Sequence, residues 1–381
     1  MKYLSILFGV LTLVLLAGAV YYMSNRYALF VSSISKKVWI WGFGTSLVTF
    51  ILCIKVLSNT AHPIGKIIYI LAGIVLSLFL FMLLSVALTD IFNLIFKITP
   101  KIRGFISISL AVLITVYGLW NAHKIKIKEM TIPINGLTHE IRAVHISDVH
   151  LGNFWGKRRV DKIVCKIKEL NPDVVFNTGD MFYYGKESFK KNKDVLSAFH
   201  TLNRPHYFVY GNHDEQIGVQ EVIEQLKNAK VTVLLNEIAY FGELQIVGLE
   251  NMTKDENTSN LHAKHGTETI KSVMAKLPIK ENHPTIVLLH RPDGIEYIQE
   301  RGTDLLLVGH THGGQTFPFT LTSKFMYKYN SGFYKYLTMS IYVSDGIGTI
   351  FLPVRLGTSS EISLIKLVPA SPNYNQINNK S

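Results

Sequence analysis

Five short apolar runs in this chain end in residues able to hold a metal or move a proton. His145–Ser147 leads into Asp148-Val149-His150, and Asp173–Asn177 leads into Gly179-Asp180. His206–Tyr210 is followed by Gly211-Asn212-His213-Asp214, Thr285–Leu289 by His290, and Asp304–Val308 by Gly309-His310-Thr311-His312-Gly313-Gly314. Imidazoles, carboxylates and an amide without any thiolate suit manganese, iron or zinc, and disfavour an all-oxygen magnesium cage. The i, i+2 spacing of Asp148 and His150 lets both side chains meet one ion at a turn. Seven donors of these types are too many for one ion of four to six ligands. Two divalent ions sharing a carboxylate are therefore expected. Such a pair clamps a phosphorus centre for in-line attack.

The elements that must position these groups follow from the pattern. From residue 124 onward, short apolar runs alternate with amphipathic stretches, which predicts an α/β domain over 124–370. Strands are expected at Glu140–Ser147, Asp173–Asn177, His206–Tyr210, Val231–Leu235, Leu244–Leu249, Thr285–Leu289, Asp304–Val308 and Ser340–Ser344. Helices are expected at Arg158–Leu170, Glu187–Leu202, Val219–Asn228 and Thr267–Leu277. Each candidate ligand then falls at the carboxyl end of a strand, where open α/β sheets build their sites. Lys124-Ile125-Lys126-Ile127-Lys128 alternates strictly and reads as a strand whose lysines protect a sheet edge or meet anionic headgroups.

The motifs D-x-H, G-D, G-N-H-D, H and G-H-x-H occur here in that order, and the chain resembles the calcineurin-like metallophosphoesterase family over about residues 139–369. The resemblance implies a four-layer α-β-β-α sandwich. It implies that Asp148, His150, Asp180 and His312 hold one ion, and that Asp180, Asn212, His290 and His310 hold the other. By the same resemblance, His213 is the acid that is not a ligand, oriented by Asp214. The run Gly309–Gln315, with Tyr342–Thr349 and Pro353–Gly357, is similar to a membrane-associated bacterial branch that includes UDP-2,3-diacylglucosamine pyrophosphatases. Members of that branch often carry Arg or Asn where Asp345 stands, and many family members carry a second Asp after the G-D, where this chain has Met181-Phe182-Tyr183-Tyr184.

The first third is of another kind. Residues 1–123 hold nine basic residues and one acidic residue, Asp90, whereas the remainder holds thirty basic and twenty-six acidic. Apolar runs at about 3–23, 38–57, 67–89 and 104–120 are each long enough to cross a hydrocarbon core, so a four-helix transmembrane region is expected. The first run, with Ala17-Gly18-Ala19, also has the form of a cleavable signal. Interfacial aromatics such as Trp39, Trp41 and Trp120 flank the runs. The basic residues divide equally between the two sides, which leaves the orientation open. With the excess charge confined to the apolar third, nucleic acid is not an expected partner. Cys53 falls inside a span and Cys165 in the polar part, which argues against an intrachain disulfide. The polar tail 371–381 is expected to be disordered.

Other residues carry weaker signals. His145 is expected in the core, and Tyr183 and Tyr184 either line a substrate mouth or pack on the domain. Arg291 and Arg355 read as surface or ion-paired arginines before phosphate ligands, and Gly313-Gly314 as a tight turn. The expected whole is a multi-pass protein of a bacterial inner membrane. It would meet membrane lipids and hydrolyse a phosphodiester or pyrophosphate bond in an amphiphilic or nucleotide-linked substrate such as UDP-2,3-diacylglucosamine. Soluble nucleotides or phosphoproteins as substrates, and a metal-binding regulator without turnover, are the alternatives. The spans hold no central carboxylate or histidine pair, which disfavours a channel.

Overall fold

A computed structural model describes residues 2–60, 62–183, 185, 189–190, 193–252 and 268–370. The chain divides into two compact units. One comprises Met1–Trp120 with Phe351–Val354, and the other Asn121–Ile350 with Arg355–Ser381.

The first unit is helical: α1 (Lys2–Phe30), α2 (Lys36–Leu57), α3 (Pro63–Phe96) and α4 (Pro100–His123), the last ending just inside the second unit. Among the described residues, α2, α3 and α4 are long and apolar enough to cross a membrane. The expected span at 3–23 lies within α1, partly on side chains outside the described ones. Long apolar surfaces such as Leu94 and Phe105 face outward, as they do where lipid replaces water. Asp90 is more than the lone acid of an apolar third. Its carboxylate lies 2.6 Å from Arg26 Nε and 2.8 Å from Arg103 Nη1, and Tyr22 donates its hydroxyl to it at 2.6 Å. Arg26 and Arg103 are thus tied into a three-helix ion cluster and are not free loop charges.

Among the described residues, the second unit holds two six-stranded sheets, ordered β1-β12-β2-β3-β4-β5 and β10-β11-β9-β8-β7-β6. The strands are β1 (Ile125–Ile134), β2 (Ile141–Ile146), β3 (Val174–Asn177), β4 (His206–Phe208), β5 (Thr232–Val233), β6 (Glu237–Phe241), β7 (Leu244–Gly248), β8 (Thr285–Leu288), β9 (Leu305–Val308), β10 (Gly332–Tyr336), β11 (Met339–Val343) and β12 (Ser360–Pro369). Both sheets mix parallel and antiparallel pairs. Along β8, Ile286 and Leu288 enter the layer between the sheets, while Val287, and Leu289 just beyond the strand, face the helices outside. In β3, Phe176 faces the other sheet and Val175 the helix layer. Sheets covered on both faces require such continuous apolar runs. The result is the α-β-β-α sandwich.

The outer helices are α5 (Lys157–Leu170), α6 (Ser197–His200), α7 (Asn212–Ile217), α8 (Val219–Asn228), α9 (Ile270–Lys276), α10 (Ile295–Gln299) and α11 (Phe319–Met326). The stretch expected as one helix over Glu187–Leu202 is, where described, helical at 189–190, then a 3-10 turn at Lys193–Leu196 followed by α6. Residue 267, at the start of the helix expected at 267–277, and the tail 371–381 lie outside the described residues. The lysine-flanked strand is the edge β1, parallel to β12. Lys128, however, is no free edge charge, since it pairs with Asp345 and Glu361.

β4 begins with His206, 3% exposed, whose two ring nitrogens have no hydrogen-bond partner. Burial pushes its pKa down to about 3, against about 6.5 in the unfolded chain. Between those values the unfolded chain binds a proton that the folded one refuses, so stability falls as the pH drops below 6.5. At pH 5 the cost is about 2 kcal/mol. His206→Leu is expected to lessen the loss of urea-unfolding free energy between pH 7.5 and pH 5. An unchanged acid limb would show that His206 is not its source.

Candidate metal centre

Two neighbouring sets of strand ends build the site. β2, β3 and β4 lie side by side in one sheet and deliver Asp148, His150, Asp180, Asn212 and His213; β8 and β9 are neighbours in the other and deliver His290, His310 and His312. The loops cross-link through their backbones: Asp148 N donates to Gly179 O at 2.9 Å, His150 N to Asp180 O at 3.0 Å, and Gly309 N to His290 O at 2.9 Å. Asp148, His150, Asp180, His310 and His312 all have φ between +51° and +72°. For non-glycine residues this left-handed conformation is strained and tends to mark functional sites.

Three overlapping groups of ligand atoms result, each with its atoms within 4.8 Å of one another: Asp148-His150-His312, His150-Asp180-His213 and Asp180-His290-His310. In the first, Asp148 Oδ1 lies 3.4 Å from His312 Nε2 and 3.6 Å from His150 Nε2. The two Nε2 atoms are 2.9 Å apart. In the third, His290 Nε2 is 3.2 Å from Asp180 Oδ2 and 3.3 Å from His310 Nδ1. His213 is drawn in more closely than expected for a group outside the ligand set, with Nε2 4.0 Å from Asp180 Oδ2.

These residues fit divalent cations. Asp148 Oδ1 and Asn212 Oδ1 are buried and accept no hydrogen bond. A buried acceptor left bare is costly unless a cation or donor completes it. The other faces of the ligands are occupied: His290 Nδ1 lies 2.7 Å from Thr178 O, Asp148 Oδ2 accepts from His310 N at 3.0 Å, and Asp180 Oδ1 accepts from His213 N at 2.9 Å. Such outer contacts aim a ligand and fix its tautomer. Burial opposes charge on both carboxylates, but the surrounding imidazoles outweigh it, so Asp148 and Asp180 are held below the usual carboxylate range. Burial lowers the pKa of His312 to about 3 and that of His213 to about 4. The imidazoles that burial keeps neutral are in the form a cation needs.

The family comparison matches residues 141–314 to the calcineurin-like phosphoesterases. These residues form a calcineurin-like phosphoesterase domain. An uncharacterized metallophosphoesterase of Helicobacter pylori (strain ATCC 700392 / 26695) is 33% identical over 248 residues, 64% of this chain and 64% of the relative. A transmembrane protein with a metallophosphoesterase domain from Danio rerio is 28% identical over 288 residues, 70% of this chain and 62% of the relative. The phosphodiesterase YaeI of Escherichia coli (strain K12) is 26% identical over 239 residues, 60% of this chain and 82% of the relative. The chain thus spans under two thirds of the first two proteins.

Asp214 and Arg355 act otherwise than the sequence suggests, whereas His145, Tyr183 and Arg291 fall within its expectations. Asp214 accepts from Phe182 N and Gly211 N, both at 3.1 Å, and burial together with Asp180 raises its pKa to about 7. The group seen against the His213 ring is instead the Tyr183 carbonyl, 3.0 Å from Nδ1. The Tyr183 ring packs against His150 and His213 at centroid distances of 5.4 and 5.3 Å; Tyr184 lies outside the described residues. His145 is a core residue, its Nε2 2.8 Å from Thr178 Oγ1. Arg291 is buried beside Asp293 at 3.3 Å. Arg355 is a fully buried clamp on backbone carbonyls; it is not a surface arginine.

Two contacts have no sequence signature. Tyr327 OH lies 3.3 Å from His310 Nε2, and Arg355 Nη2 lies 3.2 Å from His312 Nδ1. Gly313 and Gly314, with φ of +57° and +79°, make the tight turn expected after His312.

Gly309 is required for another reason. A Cβ there would lie 1.9 Å from Ser147 Oγ and 2.3 Å from Asp148 Oδ2. Gly309→Ala is therefore expected to push Asp148 out of place and weaken metal retention about tenfold or more, measured as metal content after dialysis against a chelator. Wild-type retention would contradict this packing.

Proposed function

We propose that this chain is a membrane-anchored, metal-dependent hydrolase of a phosphodiester or pyrophosphate bond, with two divalent cations held across Asp180. The observation that carries the reading is the sharing of side chains between ligand groups: Asp180 belongs to two of the three, and His150 to two. Asp148, His150, Asp180 and His312 would hold one cation; Asp180, Asn212, His290 and His310 would hold the other. Bound there, the cations would acidify a water and neutralise charge developing on phosphate oxygens.

The side chains do the rest. Thr178 O steers His290, and Asp148 Oδ2 is held by the His310 amide, so both ligands are aimed before substrate arrives. With Nδ1 donating to the Tyr183 carbonyl, His213 presents an unprotonated Nε2 toward Asp180, and it would first take up a proton there, favoured by the charge of a bound phosphate, before passing it to the leaving oxygen. The buried ring of Tyr183 shields this edge from water.

The preferred substrate in this reading is lipid-linked or nucleotide-linked, with UDP-2,3-diacylglucosamine as first candidate. Its support is the set of apolar helices on the same chain, since an anchored domain meets amphiphiles of its own bilayer at high effective concentration.

The test uses full-length protein in detergent, stripped of metal and given Mn, Fe, Zn or Mg, with bis-p-nitrophenyl phosphate as substrate. Metal-dependent turnover is expected, lost about 10²–10⁴-fold in His213→Ala and likewise in Asn212→Ala. Turnover that survives chelation or both substitutions would overturn the hydrolase reading. Cleavage of soluble diesters but of no lipid-linked phosphate would overturn the substrate class alone.

A further inference from the structure

Helix α11, Phe319–Met326, is built inside out for a helix in water. Its buried residue is Ser323, which hydrogen-bonds Asn330, while Phe319, Leu321, Phe325 and Met326 face outward, Phe325 92% exposed. Surface helices ordinarily turn their apolar stripe toward the core. The inversion is not confined to one turn: Phe317, Phe333 and Leu337 in the flanking segments are also exposed. Several large apolar side chains exposed within one short stretch mark an interaction surface; single exposed residues need no such explanation.

The charge in this stretch has one sign. Between Asp304 and Asp345 the sequence contains no acidic residue, while Lys324, Lys328 and Lys335 are basic. Exposed aromatics with lysines beside them match the boundary of an anionic bilayer, where rings enter the acyl region and ammonium groups meet phosphates. A protein partner of ordinary interface composition would not favour lysine, which is depleted in such interfaces. The same chain carries helices long enough to cross a membrane, so a bilayer is an apolar phase that it meets.

We propose that the segment 317–337 is an interfacial membrane contact, with α11 lying in the headgroup region of an anionic bilayer. The segment is joined to the metal centre. Thr311, between His310 and His312, donates its hydroxyl to the Asn330 carbonyl, and Tyr327 OH lies 3.3 Å from His310 Nε2. Contact with lipid would thus set the approach of a bilayer-borne phosphate to the site. The membrane contact itself goes beyond the hydrolase reading and does not depend on turnover.

The chain has two cysteines, Cys53 and Cys165, so a Cys53→Ser/Cys165→Ser background accepts a single environment-sensitive fluorophore. Full-length protein labelled at Phe325→Cys, and separately at the exposed control Glu224→Cys, is reconstituted into phosphatidylcholine–phosphatidylglycerol vesicles. The 325 probe is expected to emit at shorter wavelength than the control, to be quenched by nitroxide-labelled lipid and to be shielded from aqueous iodide. Lys324→Glu/Lys328→Glu should reduce the lipid quenching at least twofold. Equal iodide quenching at both positions would overturn the proposal. So would shielding from iodide without lipid quenching, which would assign the surface to protein contact.

Discussion

Asp180→Asn is expected to abolish the pairing of cations while leaving the fold intact. Asn keeps the volume of Asp and tolerates the left-handed backbone found there, φ +51°. Its side-chain oxygen can still accept from His213 N, as Asp180 Oδ1 does at 2.9 Å. It loses the charge that serves two ligand groups at once, toward His290 at 3.2 Å and His150 at 3.8 Å. Loss of several kcal/mol of charge stabilisation corresponds to a fall in kcat/KM of at least about 10³-fold. Bound metal should drop from two ions per chain to one or fewer at the same free metal, with an unchanged far-ultraviolet dichroism spectrum. Full metal content and turnover in the variant would remove Asp180 from its bridging role.

Arg355→Leu should cost the second unit much of its stability. The guanidinium is fully buried. It donates to Asp345 O and Gly348 O at 2.7 Å, to Gly346 O at 3.2 Å and to Thr358 Oγ1 at 3.0 Å. Those carbonyls belong to the turn that backs the first ligand loop, where Gly348 N donates to Asp148 O at 2.7 Å and Ile347 N to Ser147 O at 3.0 Å. A leucine leaves the carbonyls dry and unpaired, for a loss of about 3–5 kcal/mol. Lysine supplies a point charge where a planar fork is needed, so Arg355→Lys should recover less than half. Urea unfolding of the detergent-solubilised chain measures both. A loss below about 1 kcal/mol would mean that the turn holds without its clamp.

What could be read from the sequence followed from how narrowly chemistry constrains residue type. Cation ligands come from few side chains, so the candidates stand out at strand ends, and Asp148, His150, Asp180, His290, His310 and His312 lie in overlapping groups in the fold. β7, β8 and β9 are fully buried and read as mainly apolar runs, interrupted by Gln245 in β7 and opened by Thr285 in β8. β12 carries no strand signature at its start because its first residues are polar. Ser360, Glu361 and Ser363 are nonetheless buried, with Glu361 accepting from Tyr342 OH at 2.8 Å and pairing with Lys128. The edge strand β6 shows no clear alternation of core and solvent, and in β10 an alternation of half-buried and exposed positions is masked because the outward Phe333 is apolar. Arg355 and Asp214 bond backbone groups, which leave no mark on residue identity. The Asp90 cluster joins residues far apart in the chain, and only folding reveals it.

The central claim is two cations bridged by Asp180. It is tested most directly by electron paramagnetic resonance of the metal-stripped full-length chain loaded with Mn(II). The account predicts the multiline spectrum of an exchange-coupled pair at two ions per chain, replaced in Asp180→Asn by the six-line spectrum of isolated Mn(II). A six-line spectrum from the wild-type protein at every loading, with one ion bound per chain, would contradict it.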